Sequence, residues 1–186
     1  VTWPTAGFTG GKRDLNERHS GKASLLLDDT RTDGLVSARF NRLVPIPKDG
    51  FKLQFWFKAK KGHQFIVTLN HHDAEGVWMS GRNNDMRVSG AGKWSEFVRE
   101  IRGFPKNAAF VKFTLWATLY SEDGSRTGAV HYDDLSLQSL PDGKEQLGER
   151  GFEPLSPDQL KPELDWSAWD KSMEKAISTY HFNSFR

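Results

Sequence analysis

The sequence predicts an all-β fold: a two-sheet antiparallel β-sandwich of jelly-roll type, followed by a C-terminal helical extension. Three observations lead there. Short runs rich in β-branched and aromatic residues recur up to about Leu140, turn-forming clusters of Gly, Asp and Asn separate them, and apolar and polar residues alternate within them with period two. Recurrence of strands and turns at this spacing is the pattern of a sandwich.

Strands are expected over 23–27, 35–43, 51–59, 64–71, 77–80, 86–89, 94–101, 109–120 and 129–137. Between them stand Lys48-Asp49-Gly50, Asp73-Ala74-Glu75-Gly76, Gly90-Ala91-Gly92 and Glu122-Asp123-Gly124, residues that tolerate the positive φ of hairpin turns. After Leu140 the composition changes, which divides the chain into a sandwich domain over 1–140 and a linker with an amphipathic helix over 141–186. Ser156-Pro157-Asp158-Gln159 supplies an N-cap, a proline at the first helical position and a capping-box glutamine. Trp169, Met173, Ile177 and Tyr180 then recur every three or four residues, an apolar helical stripe that must pack on the sandwich or on a following domain.

Composition narrows the function. In 186 residues, 26 Lys and Arg stand against 24 Asp and Glu, so no single-sign field singles out nucleic acid or an anionic membrane as partner. Cysteine is absent, which removes disulfides, thiolate nucleophiles and Cys-bound zinc together. No apolar run approaches the roughly 18 residues of a membrane span. The seven tryptophans exceed what a modest core needs.

Alternation assigns the faces. Phe51, Leu53, Phe55 and Phe57 form a core face, which sends Gln54, Trp56 and Lys58 the other way. Phe65, Val67 and Leu69 oppose Ile66, Thr68 and Asn70, while Val111, Phe113, Leu115 and Ala117 oppose Lys112, Thr114, Trp116 and Thr118. The expectation is one shared polar and aromatic face carrying Gln54, Trp56, Thr68, Asn70, Thr114 and Trp116, with Trp78 as a loop platform. Such a face suits sugars, because an indole stacks on the C–H face of a pyranose while amides and hydroxyls read its hydroxyl pattern. A competing reading has a loop or the C-terminal helix covering Trp56 and Trp116. Trp94 opens an apolar strand and reads as structural, and His71-His72-Asp73 as a solvated strand end.

Four segments carry a resemblance: His19-Ser20-Gly21-Lys22-Ala23-Ser24-Leu25, Phe55-Trp56-Phe57-Lys58-Ala59, Gly92-Lys93-Trp94-Ser95-Glu96-Phe97 and Val130-His131-Tyr132-Asp133-Asp134-Leu135-Ser136-Leu137. In this order the chain before Leu140 resembles the jelly-roll carbohydrate-binding modules of the family 4, 9, 16 and 22 group. That resemblance implies a polysaccharide or oligosaccharide ligand on the concave sheet. It also implies a structural calcium, with ligands that fall here on Asp133 and on backbone carbonyls near Gly21 and Lys22. A calcium site wants six to eight oxygens, of which these supply part, so Asp133 as a strand-edge turn residue stands as the alternative. Lys175 to Arg186 resembles the first helix and strand of a barrel glycoside hydrolase, implying a downstream catalytic domain in the same polypeptide and a secreted or periplasmic bacterial protein.

Catalysis within the chain finds little support. A sandwich glycosidase needs two carboxyl groups about 5 Å apart, yet Asp133 and Asp134 are adjacent and point to opposite faces of a regular strand. Glu96 and Glu100 sit among Arg99 and Arg102, where surface ion pairs explain them. The expected function is therefore a non-catalytic carbohydrate-binding module that targets an attached glycoside hydrolase. Its rival is a structural accessory sandwich packed on a downstream barrel without sugar affinity of its own.

Overall fold

In the strand Phe51–Ala59 every second residue is buried, and the chain repeats that device until two sheets share one core. The computed structural model describes residues 7–148 and 152. Its strands are β1 (Phe8–Thr9), β2 (Lys12–Asp14), β3 (Ser24–Asp29), β4 (Ser37–Phe40), β5 (Val44–Pro45), β6 (Phe51–Ala59), β7 (Gln64–His72), β8 (Trp78–Ser89), β9 (Ser95–Ile101), β10 (Phe110–Trp116) and β11 (Gly128–Ser139). No helix occurs among the described residues, and the expected C-terminal helix lies outside them.

One sheet runs β1-β4-β10-β7-β8, with β5 also on β10, and the other runs β2-β3-β11-β6-β9. All pairings are antiparallel. The eight principal strands thus lie as β4-β10-β7-β8 over β3-β11-β6-β9, the order produced by two Greek keys wound into a jelly roll. The two-sheet sandwich expected from alternation is the fold observed.

Local differences have physical causes. β8 is one strand where two were expected, because β7 offers a long edge that pairs from Ser89 back to Asn83 and, past a bulge between Asn70 and His72, again at Trp78. Tertiary pairing there overrides the polar, weakly strand-forming stretch Ser80–Asp85. Gly50 enters β6 with φ +93°, and a Cβ there would lie 2.1 Å from the Ile101 carbonyl oxygen, so the turn admits only glycine.

The core joins the inner faces of both sheets and reaches past Leu140, since Leu147 and Phe152 are buried in it and the Phe152 ring lies 6.0 Å from that of Phe8. Tyr132 is fully enclosed and donates its hydroxyl to the Trp116 carbonyl at 2.7 Å. His71 is not the solvated strand end expected for it. It points inward at 2% exposure, edge-on to Phe104, with no well-formed hydrogen bond at either ring nitrogen. Its neighbour His72 takes the outward side.

A candidate saccharide groove on the six-stranded sheet

Antiparallel register lines up the outward residues of β4, β10, β7 and β8 into rows across the sheet. One row reads Arg39, Thr114, Thr68, Asp85, and the next reads Lys112, Asn70, Asn83. Beyond it His72 pairs with Trp78. At the opposite end, the pairing of Leu115 with Val67 sets Trp116 alongside Ile66. These residues, with Tyr120, line a groove of about 570 Å³. From the Ile66 level to the His72 level is about 20 Å at about 3.3 Å per residue, so the two indoles stand at opposite ends.

Ile66, Thr68 and Thr114 are buried and make the floor. Trp116 is half-buried, whereas Trp78 and Tyr120 are 50% and 58% exposed. The polar groups hold one another in place. Trp116 Nε1 donates to Thr68 Oγ1 at 3.2 Å, and that hydroxyl donates to Asp85 Oδ1 at 2.8 Å. Thr114 Oγ1 donates to Asn70 Oδ1 at 2.9 Å, and Trp78 Nε1 to Asn83 Oδ1 at 3.3 Å. Both asparagines accept through oxygen, which leaves their Nδ2 donors, with Asp85 Oδ2 as an acceptor, to face a ligand. The result is a preorganised apolar and hydroxylic floor with a few placed polar groups and an aromatic ring at each end.

Of the residues expected to bind, Asn70, Thr114, Trp116 and Trp78 come together here, Trp78 on a strand rather than a loop. Gln54 and Trp56 do not join them, which corrects the single-face expectation. Their strand β6 pairs with β11 and β9, placing both side chains on the outer face of the other sheet. There His19 stacks on Trp56 at 3.7 Å and 10°, and Gln54 Nε2 donates to Glu96 at 2.6 Å. Arg39, Lys112, Asn83, Asp85 and Tyr120 were not singled out from sequence. Alternation marks Arg39 and Lys112 as outward, but only the strand pairing shows what they adjoin.

The second face is closed by the chain itself. Glu17 accepts from Lys58 Nζ at 2.6 Å and Trp94 Nε1 at 2.9 Å, and the Lys58 bond chiefly holds its carboxyl below the usual range. Asp14 hydrogen-bonds His131 Nε2 at 3.0 Å and is likewise lowered, mainly by the Asn16 N–H. Trp94 is thus structural, as its sequence context suggested.

Asp133 belongs to this clamp. It is fully buried; Oδ2 accepts the backbone N–H of His19 at 2.8 Å and of Ser20 at 3.1 Å, while Oδ1 accepts that of Asp134 at 2.9 Å. Burial pushes its carboxyl up despite those bonds. Calcium requires six to eight oxygens converging at 2.3–2.6 Å. The loop instead turns N–H donors to the carboxylate, Gly21 and Lys22 are exposed, and no cluster of three or more acidic or histidine side chains suited to a metal occurs among the described residues. Three N–H donors turned to the Asp133 carboxylate give it the strand-edge turn role that stood as the alternative to calcium ligation.

No protein-family model matches the sequence, and no curated protein matches it. Among solved structures the chain is similar to a family 16 carbohydrate-binding module, "Family 16 Carbohydrate Binding Module-2", at 15% identity over 70% of this chain and 86% of that one, with a TM-score of 0.49. It is also similar to the enzymatically active domain of bacteriophage CBA120 tailspike protein 4, at 11% identity over 70% of this chain and 18% of that one, with a TM-score of 0.51. A third is the CBM22-1 xylan-binding domain from Paenibacillus barcinonensis Xyn10C, at 13% identity over 70% and 84%, with a TM-score of 0.45. What is shared is the jelly-roll sandwich. The jelly-roll sandwich expected from the sequence is the fold that the strand order itself shows, and function rests on the groove.

Proposed function

We propose that this jelly roll is a carbohydrate-binding module that holds a polysaccharide segment in the groove of its six-stranded sheet and performs no chemistry on it. The observation that carries this reading is the pair of accessible indoles, Trp116 and Trp78, bracketing a floor of hydroxyls and amides. Stacking surfaces at both ends with hydrogen-bonding groups between them match a chain of rings whose faces are C–H and whose edges are hydroxyl. Hydrolysis is disfavoured because Asp85 is the one acidic side chain lining the groove among the described residues, and glycosidases of the usual kind use two. Attachment to a downstream glycoside hydrolase, and with it secretion, rests on the sequence of 175–186 alone.

Affinity electrophoresis against soluble polysaccharides tests the reading. Removing a stacked indole forfeits roughly 2 kcal/mol of apolar burial, about thirtyfold in affinity, so Trp78→Ala and Trp116→Ala should each abolish retardation by a ligand the parent protein binds. Trp78 is half exposed, so its variant should melt at the parent temperature. Retention of full binding by both variants would place the site elsewhere.

A further inference from the structure

We propose that the groove selects an acidic polysaccharide, one whose sugar units carry carboxylates, and that Arg39 and Lys112 are the residues that read the acid. This inference rests on the groove being a saccharide site and names the class of saccharide. Arg39 lies opposite Thr114, and Lys112 is one pleat further along β10 on the same face. Such diagonal neighbours have backbones about 7–8 Å apart, near enough for both side chains to reach one substituent.

Neither cation has an acidic partner among the described residues. The ion pairs there are His19 with Asp134, Lys58 with Glu17, Arg102 with Glu100 and His131 with Asp14, all away from the groove. Asp85 does not neutralise them either. It closes Arg39's row three strands away, about 14 Å at about 4.8 Å per strand, stands two strands across and one pleat along from Lys112, and its Oδ1 is already held by Thr68. Among the residues that line the groove, two cations stand along its β4–β10 side and a hydroxyl acceptor along its β8 side, where Arg87 follows Asp85 on the same face opposite Ile66.

A neutral glycan laid on this floor would desolvate an arginine and a lysine without offering either a counter-charge, which works against binding. A uronate chain removes that conflict. Its ring presents the C–H face to Trp116 or Trp78, and its carboxylate matches the planar guanidinium fork, which pairs with carboxylates through two parallel hydrogen bonds. Its hydroxyl edge is left for Asp85 and the asparagine amides.

The test uses the full chain in affinity electrophoresis with polygalacturonate and alginate, the same polymers after carboxyl reduction, neutral xylan and mixed-linkage glucan, and a sulfated galactan. Retardation by a uronate polymer, lost on carboxyl reduction and weakened by added salt, is expected. Arg39→Gln and Lys112→Gln should each weaken it about tenfold or more, the usual worth of a charge-assisted hydrogen bond, without moving the melting temperature. Equal or tighter binding of a neutral polymer, binding of the sulfated galactan alone, or uronate affinity indifferent to both substitutions would overturn the proposal while leaving a saccharide site standing. Retardation by none of the polymers would overturn both the proposal and the saccharide reading beneath it.

Discussion

Replacing His71 with leucine should stabilise the protein at neutral pH, and more strongly in mild acid. The neutral imidazole has one donor and one acceptor, both buried here; neither makes a well-formed hydrogen bond, although the Arg82 backbone acts on the ring. An unsatisfied buried polar group costs about 1–3 kcal/mol, and a leucine of similar volume relieves that cost. Losing the ring edge packed on Phe104 at 5.7 Å and 80° returns about 0.5–1.5 kcal/mol. The net gain is on the order of 1 kcal/mol, roughly 2–4 °C in melting temperature for a domain of this size. Protonation adds a second effect. Burial holds the His71 pKa below its ordinary 6.5, with the backbone of Arg82 opposing the shift and His72 adding a smaller push downward. A depressed pKa means that the unfolded chain takes up the proton first. The parent's stability is therefore full above about pH 6.5 and falls by up to ~1.4 kcal/mol per pH unit until the folded pKa is reached. The variant lacks that loss, so its advantage should widen by up to ~1.4 kcal/mol at about pH 5.5. Urea unfolding at the two pH values measures both effects. A variant less stable than the parent at neutral pH, or an advantage equal at both pH values, would refute the reasoning.

Three further outcomes follow from the closed face. Trp56→Ala removes the surface on which His19 stacks and should cost about 1–2 kcal/mol while leaving polysaccharide retardation unchanged; a parallel loss of binding would place the site on the wrong sheet. Asp133→Ala leaves three backbone N–H groups without their acceptor and should cost about 2–4 kcal/mol, whereas a chelator should not move the parent's melting temperature in calorimetry. A chelator-induced fall of several degrees would mean that a metal contributes at Asp133 after all. Glu17, held below its ordinary 4.5 chiefly by the Lys58 hydrogen bond, contributes stability above that value and loses it as pH falls through the lower folded pKa. Glu17→Gln should accordingly flatten the acid limb of the stability curve, and an unchanged limb would show that the pair contributes nothing measurable.

Alternation made much of the fold legible. β6 begins and ends at the expected residues, and its buried set is the one the sequence marks as core. Alternation is a property of a single strand, however, and says whether a side chain faces in or out without saying which sheet the strand joins. Trp56 and Trp116 both face out, and nothing local distinguishes them. The jelly-roll connectivity sends β6 to one sheet and β10 to the other, so the two indoles end on opposite sides of the sandwich. The same limit hid Arg39, a single outward cation in a short strand until pairing with β10 sets it opposite Thr114. His71 was misread for a different reason. It lies inward by strict alternation with Leu69, and the adjacent His72 and Asp73 lent it a polar context that the backbone does not honour.

The two outer faces carry similar side chains, indoles with amides, carboxylates and cations around them, and differ in what answers them. On the five-stranded sheet the stretch after β2 supplies the answer. His19 covers Trp56, Glu17 takes the hydrogen bonds of Lys58 and Trp94, Asp14 meets His131, and Asp133 receives the backbone of His19 and Ser20. Those contacts are what a sugar-binding face would make with its ligand, a flat ring on an indole and polar groups on either side. On the six-stranded sheet, β1 and β5 pair at the ends of β4 and β10, and the groove between Trp116 and Trp78 keeps its stacking faces, its amide donors and two cations that have no acidic partner among the described residues. Buried or stacked polar surface persists in a fold only where something compensates it. On one face the compensation is intramolecular and can be read from the hydrogen bonds. On the other it is left to solvent or to a ligand, and the preorganisation of Thr68, Thr114, Asn70 and Asp85 argues for the ligand, because solvent needs no fixed geometry to be a partner.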